Sequence, residues 1–152
     1  MSFSTFTSDF IDTTLYQLGA SSIKVVNGKQ HVVDFILGED LKVTYIFTIT
    51  RENRFYLQRA YPYPMQQGRF SNEGEIIDFI AKDCQAFRNA MNSKNYQTFV
   101  DSARNALALT EDLERLFMHR NVSREDLTAL HNQCSQLRAL IQDIYDKSPE
   151  ID

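Results

Sequence analysis

The sequence contains no tryptophan, two cysteines, three prolines, five glycines and three histidines in 152 residues, and each scarcity removes a class of protein. Two cysteines cannot staple a small secreted scaffold, so the fold must come from apolar burial, for which the length suffices. Cys84 and Cys134 lie far apart, each inside an apolar helical pattern, and read as reduced core thiols. So little glycine and proline excludes collagen-like and low-complexity chains. The glycines at 19, 28, 38, 68 and 74 do not cluster into a loop that could cradle phosphate, so no nucleotide cofactor is expected. No apolar run approaches the roughly 20 residues that cross a bilayer. The most hydrophobic stretch, Val43 to Ile49, is interrupted by Thr44 and Thr48.

Excess charge of either sign is also lacking. Sixteen Lys and Arg against twenty Asp and Glu give a net charge of -4, so the molecule as a whole repels nucleic acid and anionic lipid, and any such binding must be local. The opening residues, MSFSTFTSDFIDTT, show neither a basic start nor a continuous apolar segment, which leads us to expect a cytoplasmic protein without a secretory signal. The sequon Asn121-Val122-Ser123 would then go unused.

What is present divides by hydrophobic period. Phe10, Ile11, Leu15 and Leu18 share one face of a short helix that Ser8 can cap and Gly19 can end in a left-handed turn. From Ser22 the period becomes two: Ile23 and Val25, then Val33, Phe35 and Leu37, then Val43, Tyr45, Phe47 and Ile49, then Phe55 and Leu57. Asn27-Gly28 suits a two-residue hairpin, and Gly38-Glu39-Asp40 and Arg51-Glu52-Asn53 supply the next two turns. These signals predict a four-stranded antiparallel meander over residues 22–60.

Beyond Pro64 the pattern is helical. Asn72 with Glu75 forms a capping box ahead of Ile77, Ile80, Cys84, Phe87 and Met91; Asn92-Ser93 ends that helix. A second helix runs from Tyr96 to about His119. Ser123 with Asp126 caps a third, whose Leu127, Leu130, Cys134, Leu137, Ile141 and Ile144 recur at steps of three and four without a break. The short Arg120 to Val122 link predicts that the last two helices lie antiparallel as a hairpin. The predicted fold is a single α+β domain spanning 1–152: an N-terminal helix within 1–20, the sheet over 22–60, three helices over 72–147 packed on one face of the sheet, and a frayed tail over 148–152. Its expected core comprises Phe35, Val43, Tyr45, Phe47, Ile49, Phe55, Leu57, Ile80, Phe87, Phe99, Leu113, Leu130, Leu137 and Ile141.

Chemistry leaves little trace. Cys84, His119, His131 and Cys134 lack the paired spacings of a zinc site, so no metal is expected. His131 and Cys134 lie three apart on one helix and His31 begins a strand, and no neighbouring residue marks either thiol as a nucleophile. Acids such as Glu111, Asp112 and Glu114, or Glu125 and Asp126, fit solvated helix faces and first turns. One segment departs from the average. Residues 51–70 hold Arg51, Arg54, Arg59 and Arg69 against Glu52, a local charge of +3 that leaves -7 on the rest of the chain. They also hold Phe55, Tyr56, Tyr61, Tyr63 and Phe70, with Tyr61-Pro62-Tyr63-Pro64 expected to run extended between sheet and helices. Arginine beside aromatic rings suits carboxylates, phosphates and stacked bases, and equally a packed sheet edge.

These features favour a non-catalytic interaction module, an adaptor, chaperone-like or regulatory subunit, over an enzyme with no recognisable motif. Its candidate partner-binding residues are Arg51, Arg54, Arg59, Tyr61, Tyr63 and Arg69, with Arg59 and Arg69 weighted most. The alternative use of the same segment is a nucleic-acid or other anion-binding surface. Because a hairpin partner covers only one side of the last helix, self-association through the C-terminal helices into a homodimer is a second expectation, and no membrane partner is expected.

Overall fold

A computed structural model of the chain describes residues 3–38 and 41–150, with side chains from Ser8 onward. Four helices and four strands follow in the order α1 (Phe3–Gln17), β1 (Gly28–Leu37), β2 (Leu41–Thr50), β3 (Phe55–Tyr61), β4 (Met65–Phe70), α2 (Glu73–Met91), α3 (Tyr96–His119) and α4 (Arg124–Lys147). The strands form one antiparallel meander in the order β1-β2-β3-β4, so the α+β class and the sheet topology are as expected.

Several boundaries differ, for local reasons. The helix α1 begins before Ser8, which lies inside it, and ends as predicted with Gly19 at φ 100° and the Ala20 amide donating to the Leu15 carbonyl. Residues 22–27 form no strand, and Asn27-Gly28 forms no hairpin. Gly28 instead opens β1 opposite Thr50, where a Cβ would lie 2.6 Å from the Ile49 carbonyl oxygen. The glycine there answers a close approach of two backbones, not a turn. The expected turn at Gly38-Glu39-Asp40 falls partly outside the described residues. The turn at Arg51-Glu52-Asn53 is present, with Asn53 at φ 54° and its amide donating to the Thr50 carbonyl.

The fourth strand is β4, in a stretch expected to contain no strand. The Tyr-Pro run is the β3–β4 connection, with a cis Tyr61–Pro62 peptide, and does not bridge sheet to helices. The strand was hidden because Met65-Gln66-Gln67-Gly68-Arg69-Phe70 has no alternating pattern. It lies at the sheet edge, and a bulge shifts its register between Leu57 and Gln58, with Gly68 at φ 96°.

One sheet face carries Leu37, Val43, Tyr45, Phe55 and Leu57, and α2 lies across it with Ile76, Ile80, Cys84 and Phe87. The α2 stripe works because steps of three and four keep these side chains on one side, and the cap is as predicted: Asn72 accepts from the Glu75 amide at 3.0 Å. Phe35, Phe47 and Ile49 extend this core as partly buried residues. The core therefore ends near the start of α3. Val100 is the one buried residue of α3, and α4 has none. That corrects two expectations, that all three helices cover the sheet and that Phe99, Leu113, Leu130, Leu137 and Ile141 are core; Leu113 and Leu130 are half-buried apart from it.

Candidate functional site

The six arginine and tyrosine positions do not form one surface. Arg51 and Arg54 are exposed at the β2–β3 turn, while Arg59 lies at the other end of β3 and points beneath α2. Arg69 pairs in register with Tyr56 on the opposite face, its guanidinium 5.6 Å from that ring. Tyr61 is exposed beside Arg104, whose side chain also donates to the Pro62 carbonyl. Only Arg59 and Tyr63 come together, and both are buried.

Arg59 is 4% exposed, and a cation so placed must be paired or neutralised. Its Nη1 donates to both carboxylate oxygens of Asp83 at 2.9 and 2.8 Å, and its Cζ lies 4.7 Å from the Tyr63 ring centre and 4.8 Å from that of Phe87. The Tyr45 hydroxyl donates to Asp83 Oδ2 at 2.6 Å and lies 3.7 Å from the Cys84 sulfur. Burial, then the adjoining carboxylate, raise the Tyr45 phenol far above its ordinary value, so it stays protonated. Burial raises Tyr63 too, against the opposing effect of Arg59. Asp83 escaped sequence reasoning, although an acid flanking the apolar stripe of Ile80, Cys84 and Phe87 is itself a request for a buried cation.

This network gathers a carboxylate, a thiol and a phenol, the kind of convergence that catalysis needs. Each residue has a partner in the network, while the buried Arg59 Nε has no hydrogen-bond acceptor among the described residues. Tyr45 is fully buried and Cys84 nearly so, and Arg59 and Asp83 neutralise each other. A cavity of about 380 Å³ lies alongside, walled by Tyr63, Met65, Phe79, Phe87 and Phe99 as well as the ion pair. The ion pair joins β3 to α2.

The helical arm is the other candidate. Ser123 caps α4 as predicted, accepting from the Asp126 amide at 3.0 Å and donating to its carboxylate at 2.8 Å. Around the α3–α4 connection, Leu113, Phe117, Val122, Leu127, Leu130 and Cys134 wall a cavity of about 520 Å³, with His131 at its side. Leu113, Leu130 and Cys134 are half-buried there. Farther along α4 the same stripe is bare: Leu137, Ile141 and Ile144 are 46%, 59% and 54% exposed, flanked by exposed Leu140 and Tyr145. The helices thus meet at their link and do not remain packed. Behind Leu113 the same face of α3 carries Leu109, Ala106 and Phe99, and Leu109 and Phe99 are themselves 41% and 44% exposed, so the two helices do not cover each other there.

Among the described residues no group of three or more His, Cys, Asp and Glu side chains could hold a metal, and no helix is long and apolar enough to cross a membrane. Set against models of known protein families, curated proteins and solved structures, the chain matches none of them.

Proposed function

We propose that this chain is a non-catalytic protein–protein interaction module and that the apolar seam of α4 is its docking face. The observation that carries this reading is the bare half of a regular seam. Six apolar residues recur at steps of three and four from Leu127 to Ile144, and the last three stand in solvent at about half exposure. Full burial of a large aliphatic side chain contributes roughly 1.5 to 3 kcal/mol, so each of these half-exposed residues forgoes about half of that, and contiguous patches of this kind mark binding surfaces. The arginine segment supports the same conclusion by elimination. Its most buried member, Arg59, spends its charge on Asp83, and Arg69 faces the other side of the sheet. Arg51 and Arg54 share the exposed β2–β3 turn but stand apart from Arg59 and Arg69, so the four arginines of the segment do not form one anion site.

The reading is tested by capture from an extract of the source cells with the wild-type chain and with Leu137→Asp/Ile141→Asp side by side. Proteins retained by the wild type and lost by the double variant, with α-helical circular dichroism unchanged, are the expected result. Identical capture by both chains, together with identical self-association, would remove α4 as the working surface.

A further inference from the structure

Resting on that reading of α4, we infer that the occupant of its seam is α4 of a second copy of this chain, running antiparallel. The seam is palindromic. A two-fold axis crossing α4 between Ser135 and Gln136 sets Leu127 opposite Ile144 of the second copy, Leu130 opposite Ile141, and Cys134 opposite Leu137. Every layer is filled by the same steps read in reverse, as a self-complementary interface requires, with the bare Leu137, Ile141 and Ile144 of one copy meeting Cys134, Leu130 and Leu127 of the other where these line the open cavity beside Leu113 and Phe117. The residues flanking the seam agree. Asp126 in the first turn and Lys147 in the last turn occupy equivalent positions flanking the seam, so antiparallel pairing brings each Asp126 to a Lys147 and places opposite charges at both ends of the interface. Arg124 falls likewise beside the exposed ring of Tyr145, a guanidinium against an aromatic face.

In this structure α3 leaves Leu137 and Ile141 uncovered, at 46% and 59% exposure, so both are open to a second copy. Lys147 is 72% exposed and held only by its own Asp143 one turn away, a contact worth a few tenths of a kcal/mol that gives way readily. The antiparallel arrangement also sets each helix N-terminus beside the other's C-terminus, which the helix dipoles favour. With α4 spanning 24 residues, about 36 Å at 1.5 Å per residue, six layers fit along its length.

The test is the mass in solution by sedimentation equilibrium at roughly tens of micromolar, a range that resolves modest symmetric association. The expected mass is twice 17.6 kDa, falling to 17.6 kDa for Ile141→Asp with its helical signal retained. Lys147→Asp alone and Asp126→Lys alone should each weaken the dimer roughly ten-fold by putting like charges across both ends, and the two together should restore it. Asp126→Lys also removes an acceptor from the Ser123 hydroxyl, so the deciding result is the restoration, which a lost cap would not produce. A single-chain mass at every concentration, a dimer indifferent to Ile141→Asp, or a charge-swapped chain that stays weakened would each overturn the second-copy assignment. The docking reading fails separately, when Leu137→Asp/Ile141→Asp changes neither mass nor captured proteins.

Discussion

Arg59 of β3 and Asp83 of α2 form a buried ion pair in which one guanidinium nitrogen reaches both carboxylate oxygens, at 2.9 and 2.8 Å. The Tyr63 and Phe87 rings both lie against the guanidinium, and Tyr45 supplies a further hydrogen bond to the carboxylate. The sheet and its covering helix are thereby locked in one register by chemistry that apolar packing alone does not specify.

Removing one partner of such a pair leaves the other buried and uncompensated. Arg59→Met is expected to lower stability by about 3 kcal/mol, at the lower end of the range for broken buried pairs because Asp83 retains some solvent access. Arg59→Met with Asp83→Leu should recover most of that loss. Urea unfolding followed by circular dichroism measures both; a single variant as stable as the wild type would contradict the structural role assigned here.

The fold was legible wherever side-chain period and cap chemistry act locally. The Asn72–Glu75 and Ser123–Asp126 caps, the Asn53 turn and the apolar faces of β2 and β3 could be read because each depends on neighbours a few residues away. The edge strand β4 could not, since a bulged strand at a sheet edge needs no alternation, and Gly28 misled because close backbone approach and turn formation favour the same residue. The candidate site was half legible. Arg59 and Tyr63 stood out by composition, but their burial depends on Asp83, twenty-four positions on, and no local pattern reports so distant a pairing. The α4 seam was fully visible as a pattern; its bareness was not, because it depends on how far α3 stays alongside.

Tyr45 makes stability fall at alkaline pH. Below pH about 10 its phenol is protonated in folded and unfolded chains alike, so it adds no pH dependence. Above that value the unfolded chain releases the proton while the folded chain keeps it, so the unfolded state binds fewer protons and stability drops as pH rises. Tyr45→Phe should flatten that decline by up to about 1.4 kcal/mol per pH unit, while costing about 1.5 kcal/mol at neutral pH through the lost hydrogen bond to Asp83. Tyr63 and Tyr96, raised chiefly by burial as well, keep part of the slope. Unfolding free energies between pH 8 and 11 check this, and a variant with the wild-type slope would contradict it.

The β4 bulge rests on Gly68. No atom lies within 4 Å of where its Cβ would be, so the cost of Gly68→Ala is conformational only, about 1 kcal/mol from the left-handed backbone. Gly28→Ala should cost more, because there the added carbon meets the Ile49 carbonyl oxygen. Thermal melts of the two variants should rank in that order; the reverse order would contradict the assigned roles of the two glycines.

Asn72→Ala should cost about 1 kcal/mol, since it frees the Glu75 amide at the start of the helix that covers the sheet. Asn72→Asp, which restores an acceptor at the helix N-terminus, should recover nearly all of it. Equal losses in the two variants would show that the cap is not the source.

The account stands most directly on whether the far half of α4 is covered in solution. Hydrogen exchange of backbone amides, read by mass spectrometry at low and high protein concentration, addresses that half without any substitution. Slower exchange over residues 137–147 as concentration rises, with the β2 and β3 amides unchanged, is the predicted result. Exchange along α4 that is the same at both concentrations would contradict it.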